Sequence, residues 1–241
     1  MAYMTRLPLE GTFNTRELGG YPTISGITNW QTFLRSDDLF SMTSKDIAYL
    51  ENYGVQTIID LRSEDEVKKR PCPSLQSIDY KNLPLITGNI PDATKLPPGE
   101  SYSMGEFYLS CLQHGSDRIK VVLDCIAESE GCTLFHCAAG KDRTGIIAAL
   151  LLGLAEVGRE DIIANYQTTH TYLQANPVFS QPQIAGFPIE MLYSSPDYIA
   201  CVLDYLMTHY YSVTHYLTEI GVSETTVKTI AERFVRSNEL V

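Results

Sequence analysis

The feature that most constrains the fold is a short apolar strand that runs through a tight loop straight into a long apolar helix. Residues 132–135 have the pattern of a buried strand, residues 136–143 that of a loop, and residues 144–157 that of a helix, which Gly158 ends. Strand, loop and helix in this order are typical of a parallel sheet covered by helices. The sequence therefore predicts an α/β fold around this segment.

Other segments indicate the same class of fold. Residues 55–61 form a β-branched apolar run with the length of a strand buried on both faces, and residues 78–83 alternate like a further strand. We predict a central, mainly parallel sheet flanked by helices on both faces, in one domain that spans residues 1–241. Prolines and aromatics with few charges at about residues 170–196 predict a helical or irregular lid inserted into this domain.

The charge of the chain narrows its possible partners. The formal net charge is −11 over 241 residues, so the summed field repels nucleic acid, which we exclude as a partner. The sequence has no apolar run of about 18 residues and no secretory signal, so we expect no stable membrane insertion and a cytoplasmic location. A secretion route that uses no such signal stays open. We expect a monomer.

The cysteines indicate one reactive thiol rather than a disulfide framework. The six cysteines lack the regular spacing of disulfide-rich domains and of zinc sites, so we expect reduced thiols and no structural metal. Five of them are interpreted as small buried hydrophobic residues: Cys72, Cys111, Cys125, Cys132 and Cys201. Cys137, in the loop, is the exception.

The loop has the composition of an anion site. Five residues separate Cys137 from Arg143, and the small Ala138, Ala139 and Gly140 allow close approach. A loop this short, closing onto a helix N-terminus, directs successive N–H groups into one concavity and adds the positive end of the helix. The sequence therefore predicts a site for a dianionic phosphate.

The positive electrostatic potential of this loop also favours nucleophilic chemistry at Cys137. The positive surroundings favour the thiolate of Cys137, the form in which sulfur is a nucleophile. Arg143 has the geometry to hold two phosphoryl oxygens at once. Thr144 is a hydroxyl donor for the sulfur, and His136 is predicted to orient the loop by hydrogen bonding.

The loop and three distant segments together resemble a known family. His136-Cys137, Gly140 and Arg143-Thr144-Gly145 resemble the phosphate loop of the protein tyrosine phosphatase superfamily. Outside the loop, the segments similar to its bacterial atypical dual- or triple-specificity branch are Asn14 to Tyr21, Leu34 to Ser36, and Asp60 to Ser63 with Glu66. The resemblance implies a tyrosine phosphatase-like fold. It also implies hydrolysis of phosphate monoesters through a cysteinyl-phosphate, without metal or organic cofactor.

The resemblance also implies roles for two charged residues of the loop. Lys141 is expected to contact extra phosphates or the acidic surroundings of a substrate, and Asp142 to be the general acid. The Trp-Pro-Asp acid segment of other tyrosine phosphatases is absent, because the single tryptophan, Trp30, is followed by Gln31.

Asp60 is a rival for the role of general acid. It lies at the C-terminal end of a predicted buried strand, where α/β sheets usually build their sites. Arg62 is a further candidate for binding the phosphate of the substrate. The structural alternative is that Asp60 is paired with Arg62, and Arg62 and Arg16 are candidate partners for the carboxylates of this region.

The sequence leaves several substrate classes open. The expected substrates are phosphotyrosine proteins, with phosphoserine, phosphothreonine or phosphoinositides as further classes. Phosphoinositides or inositol polyphosphates as main substrates are one alternative, which Lys141 supports. A catalytically silent module that recognises phosphorylated partners is another, although the intact Cys137 and Arg143 argue against it.

Overall fold

A five-stranded sheet forms the centre of the fold in the computed structural model, which describes residues 5–86, 103–177 and 193–237. The described strands are β1 (Arg16–Glu17), β2 (Gly26–Thr28), β3 (Phe33–Ser36), β4 (Val55–Asp60), β5 (Asp79–Asn82), β6 (Cys132–His136) and β7 (Val235–Ser237). In the large sheet the order is β1-β3-β6-β4-β5; only β1 runs antiparallel to its neighbour. Strands β2 and β7 pair separately.

Helices cover both faces of this sheet. The described helices are α1 (Ser44–Tyr53), α2 (Glu64–Lys69), α3 (Met104–His114), α4 (Ser116–Glu128), α5 (Asp142–Leu154), α6 (Arg159–Leu173), α7 (Pro196–Tyr210), α8 (Val213–Glu219) and α9 (Glu224–Phe234). Helix α1 packs its Leu50 against one face, and α5 lies in the larger core on the other. The predicted fold class, a mainly parallel sheet with helices on both faces, is confirmed.

The register of the sheet brings three polar residues together. All five residues of β6 are buried, as expected for a central parallel strand. Its last residue, His136, lies opposite Ser36 of β3 on one side and Asp60 of β4 on the other. Since the chain leaves β6 here and enters α5 six residues later, the loop between them stands at the carboxyl edge of the sheet.

The predicted lid lies largely outside the described residues. Within residues 170–196, the first four belong to the end of α6, and Pro196 begins α7. Residues 178–192 are not among those described. The described helices include none that is both long and apolar enough to cross a membrane.

Candidate active site

The carbonyl groups of the loop are held on its outer side. Ala138 O accepts a hydrogen bond from Asp38 N at 3.0 Å, and Ala139 O accepts one from Asn14 Nδ2 at 3.0 Å. Gly140 O accepts from Arg35 Nη2 at 2.7 Å and from Asn14 Nδ2 at 3.3 Å. Because C=O and N–H point in opposite directions within one peptide unit, these bonds leave the matching N–H groups for the inner side of the loop.

A glycine is required where the loop passes the neighbouring strand. Gly140 has a φ of +66°, in the left-handed region, and a Cβ there would lie 2.4 Å from Ser36 O. A side chain is thus excluded both by backbone conformation and by contact. The tight passage seats the loop against the end of β3.

Cys137 follows β6 directly and has buried positive charge behind it. Its residue surface is 2% exposed, and Arg35, which binds the loop at Gly140, is 1% exposed. Burial lowers the pKa of Arg35 to about 10, and negative charge on Cys137 is the largest of the effects that raise it. Arg16 is buried beside Arg35, and burial lowers its pKa as well. Neither guanidinium has a carboxylate within ion-pair distance among the described residues.

Arg143, in the first turn of α5, is held by a carboxylate. Its Nη1 donates to Glu66 Oε2 at 2.7 Å and its Nη2 to Glu66 Oε1 at 2.8 Å. Burial raises the pKa of Glu66, but the two bonds from Arg143 outweigh this effect and lower it. Glu66 also accepts from Ser63 N at 2.9 Å in the capping box of α2, so that helix fixes the orientation of the guanidinium.

Asp142 and Lys141 lie together at the start of α5. Asp142 Oδ1 accepts a hydrogen bond from Tyr108 OH at 2.5 Å and lies 3.3 Å from Lys141 Nζ. Lys141 is buried, and its ammonium also donates to Tyr193 O at 3.1 Å. The Asp142 side chain is 27% exposed, so this carboxyl remains open to solvent.

Asp60 is enclosed by hydrogen-bond donors. Arg62 Nη2 donates to its Oδ2 at 2.6 Å, and Tyr80 OH donates to the same oxygen at 2.7 Å. Burial raises the pKa of Asp60, but these bonds, with the charges of His136 and Arg62, lower it below its ordinary value. His136 Nε2 lies 3.4 Å from Asp60 Oδ2; burial lowers the pKa of this imidazole, and the nearby charge of Asp60 offsets only part of that effect.

The predicted site residues fall into two groups. One group forms the loop and the first turn of α5: His136, Cys137, Ala138, Ala139, Gly140, Lys141, Asp142, Arg143 and Thr144. The other is the Asp60–Arg62 ion pair at the end of β4, which is the arrangement that the structural alternative for Asp60 describes. Arg16 does not pair with a carboxylate there; it donates to Asn165 O and Thr169 Oγ1, both at 2.8 Å.

Four residues around the loop had no assigned role in the sequence analysis: Asn14, Arg35, Glu66 and Tyr108. The first three lie in the segments that resemble the bacterial branch, so their position in those motifs was a usable signal. Tyr108 lies in an ordinary apolar helix pattern, and nothing in the sequence sets it apart. Thr144 Oγ1 is buried and makes no hydrogen bond to any described residue, the sulfur of Cys137 included.

Comparisons with a family model and with individual proteins agree on the family of this chain. The chain matches the tyrosine phosphatase family over residues 7–236. It is 35% identical over 219 residues to a tyrosine-protein phosphatase of Nostoc commune, with 83% of this chain and 73% of that protein covered. It is also 25% identical over 265 residues to the triple specificity protein phosphatase PtpB of Mycobacterium tuberculosis, with 91% and 95% covered.

Proposed function

The chain belongs to the tyrosine phosphatase family and is a protein tyrosine phosphatase, and from this premise we propose that Cys137 is its nucleophile, Arg143 its phosphate clamp and Asp142 its general acid. The observation that carries this assignment is the outward hydrogen bonding of three consecutive loop carbonyls next to Cys137. That bonding turns the loop amides toward a single anion in front of the sulfur.

The first step transfers the phosphoryl group to sulfur. The loop N–H groups and Arg143 hold the phosphoryl oxygens, and the thiolate of Cys137 attacks phosphorus opposite the leaving oxygen. The S–P bond forms as the bond from phosphorus to the leaving oxygen breaks. Asp142 gives its proton to that oxygen, so tyrosine leaves as a neutral phenol.

The second step returns the enzyme to its starting state. A water molecule attacks the phosphorus of the cysteinyl-phosphate and gives a proton to the carboxylate of Asp142. The S–P bond breaks, inorganic phosphate leaves, and Cys137 is again a thiolate. We assign Thr144 as the donor to the departing sulfur, although its buried hydroxyl makes no hydrogen bond to a described residue in the resting structure.

The surroundings of the two carboxyl groups favour Asp142 over Asp60 as the acid. An acid must hold a proton at the working pH and reach the leaving oxygen. The pKa of Asp60 is lowered, and its side chain is fully buried in an ion pair. Asp142 adjoins the clamp Arg143 in sequence and is partly exposed. Asp60 is then the partner that orients Arg62.

The proposed substrates are phosphotyrosine proteins. The related PtpB carries the name of a triple specificity protein phosphatase, which motivates phosphoserine, phosphothreonine and phosphoinositides as further substrates to be tested. Lys141, the residue that supported polyphosphorylated substrates, is buried and contacts Asp142 and Tyr193 instead. No observation therefore favours a phosphoinositide as the main substrate. The cytoplasmic location and the monomeric state stay predictions.

The test is hydrolysis of an aryl phosphate by the wild type and by Cys137→Ser, Asp142→Asn and Asp60→Asn, each with a pH profile. We expect Cys137→Ser to abolish turnover and Asp142→Asn to remove the alkaline limb that reports the acid. Loss of that limb in Asp60→Asn alone would transfer the role to Asp60. A wild type that binds phosphate without turnover would indicate the recognition module.

The substrate class is tested separately with a panel of phosphotyrosine, phosphoserine and phosphothreonine peptides and phosphoinositides, all at equal concentration. We expect the highest kcat/KM for phosphotyrosine. A higher value for a phosphoinositide would assign the lipid or polyol class as the main substrate.

A further inference from the structure

Two buried tyrosine hydroxyls form a hydrogen-bonded chain that ends on Asp142. Tyr108 OH donates to Asp142 Oδ1 at 2.5 Å, and Tyr166 OH lies 2.6 Å from Tyr108 OH. A phenol has a single proton to donate, and that of Tyr108 is used on Asp142. The hydroxyl of Tyr108 therefore accepts from Tyr166, and the chain runs from Tyr166 through Tyr108 to the carboxyl group.

The packing around the two rings fixes this chain in place. Tyr108 on α3 is 0% exposed and Tyr166 on α6 is 1% exposed. Their rings meet edge to face, with centroids 6.1 Å apart. A Cβ on Gly145 would lie 3.1 Å from the ring of Tyr166, so that ring packs directly against the first turn of α5. Close packing on all sides therefore holds both phenol rings in position.

We propose that Tyr108, supported by Tyr166, is a positioning residue that keeps the transferable proton of Asp142 on Oδ2. This inference rests on the proposed function, in which Asp142 is the general acid. Oδ1 accepts from the Tyr108 hydroxyl and lies 3.3 Å from the Lys141 ammonium, so both neighbours of that oxygen are donors and neither can accept a proton from it. Oδ2 accepts no hydrogen bond from the described residues, so it is the oxygen that carries the proton to the leaving group.

The other ionisable groups around Asp142 do not duplicate this contact. Lys141 and Arg143 are its neighbours in sequence at the start of α5. They interact with Asp142 through their charges, not through a phenol hydroxyl. Cys111 of α3 is close enough for the Asp142 charge to raise the pKa of its thiol, to which burial contributes most. Among the described residues, the Tyr108 hydroxyl is the neutral side-chain donor that reaches a carboxyl oxygen of Asp142.

The test is the dependence of kcat/KM on the leaving group, measured with aryl phosphates from dinitrophenyl to phenyl phosphate. A poor leaving group needs the acid most, so a misplaced acid slows phenyl phosphate selectively. For Tyr108→Phe we expect a loss of about 10-fold with phenyl phosphate and less than about 2-fold with dinitrophenyl phosphate. Asp142→Asn should give the steepest dependence, and adding Tyr108→Phe to it should change the slope no further.

Two further variants distinguish a positioning role of Tyr108 from a general structural effect of removing a buried hydroxyl. Tyr166→Phe removes the supporting phenol and leaves the Tyr108 bond, so a smaller steepening is expected; it also provides the test if Tyr108→Phe does not fold. Tyr216→Phe is the matched control, because this buried tyrosine donates to Leu112 O at 2.9 Å, at the far end of the same α3 helix, and not to Asp142. It should leave the slope unchanged.

The outcomes separate this inference from the proposed function. If Asp142→Asn steepens the dependence and both tyrosine variants keep the wild-type slope, the positioning role is wrong and the acid role stands. If Asp142→Asn itself keeps the wild-type slope, Asp142 is not the acid, and both proposals fall. A graded slope in the order wild type, Tyr166→Phe, Tyr108→Phe, Asp142→Asn supports the inference.

Discussion

Arg143 is oriented before any substrate arrives, because Glu66 binds both of its terminal nitrogens and is itself anchored by the cap of α2. Each terminal nitrogen keeps a second N–H for a phosphoryl oxygen. The guanidinium therefore loses little conformational freedom when phosphate binds. Glu66 lowers the cost of binding without touching the substrate.

Replacing Glu66 by Gln tests this arrangement. Glutamine also serves in a capping box, so α2 keeps its start while the charge on Arg143's partner is lost. We expect kcat/KM to fall by about 10-fold, since a hydrogen bond between charged groups contributes about 1.5–3 kcal/mol and part of Glu66 is exposed. Steady-state kinetics with an aryl phosphate measures the loss. Unchanged kinetics at unchanged thermal stability would contradict the role.

Two carboxylates support the segment that carries Asn14. Asp37 accepts hydrogen bonds from Phe13 N at 3.0 Å and Asn14 N at 2.9 Å, and Asp46 accepts from Glu10 N at 2.7 Å. Their pKa values shift in opposite directions. Burial raises the pKa of Asp37 to about 6. Burial also acts to raise that of Asp46, but its backbone hydrogen bonds outweigh this and lower it.

The raised pKa of Asp37 predicts that the protein loses stability as the pH rises. Its folded pKa, about 6, lies above the ordinary value of 3.8, so its stabilising contribution is present below pH 3.8 and is lost as the pH rises through 6. Between pH 4 and pH 7 the wild type should lose about 2 kcal/mol relative to Asp37→Asn. Urea unfolding across this range measures the difference.

Asp46→Asn is the control of opposite sign. Because the folded pKa of Asp46 is lowered, its contribution is present above its unfolded pKa and is lost as the pH falls. The wild type should thus lose stability relative to Asp46→Asn on acidification. Parallel pH curves for the wild type and Asp37→Asn would contradict a raised pKa for Asp37.

At the scale of elements, the seating of the loop against β3 depends on one residue without a side chain. Gly140→Ala would bring a Cβ to 2.4 Å from Ser36 O, a rigid backbone atom, in addition to the cost of a positive φ. We expect a loss of more than about 2 kcal/mol of stability and no measurable phosphate binding. Urea unfolding and phosphate titration check both.

Gly54→Ala provides the comparison for this substitution. Gly54 ends α1 with a φ of +99°, but among the described residues, its two chain neighbours aside, no atom lies within 4 Å of its added Cβ. This variant therefore carries only the backbone cost, about 1 kcal/mol, and should keep full activity. Equal losses in the two variants would show that the contact with Ser36 does not matter.

The elements themselves were predictable from the sequence, and the contacts between them were not. Buried runs, helical spacing and terminal glycines predicted β4, β6 and α5 within a few residues, because these signals are local. Asn14 binds a carbonyl 125 residues away, and Tyr108 binds Asp142 34 residues away. No local pattern encodes such pairs, and a tyrosine in an apolar helix looks like any core residue.

At the scale of the whole molecule, the active site carries a charge of the opposite sign to its surroundings. The formal net charge is −11, whereas Arg16, Arg35 and Arg143 stand behind and beside the phosphate loop. The buried guanidiniums are shielded from salt by the protein, and the exposed acidic residues are not. Electrolyte should therefore weaken the long-range repulsion more than the binding of phosphate in the site.

This difference predicts that salt accelerates attack on acidic substrates. For a phosphotyrosine peptide with flanking acidic residues, kcat/KM should rise about two- to threefold between 20 and 150 mM salt, as screening removes repulsion during encounter. A peptide of the same length with flanking lysines should show a fall. Equal salt dependence for the two peptides would contradict a role for the net charge.

The cysteines outside the loop have a practical consequence for handling the enzyme. Burial raises the pKa of Cys72 and of Cys111 to about 12, and it raises the pKa of Cys125, Cys132 and Cys201 as well. These five thiols are protonated at neutral pH and react slowly with electrophiles. With Cys137 as the proposed nucleophile, an alkylating reagent in a brief exposure should modify this cysteine alone, and the equivalents incorporated should give the fraction of active molecules in a preparation.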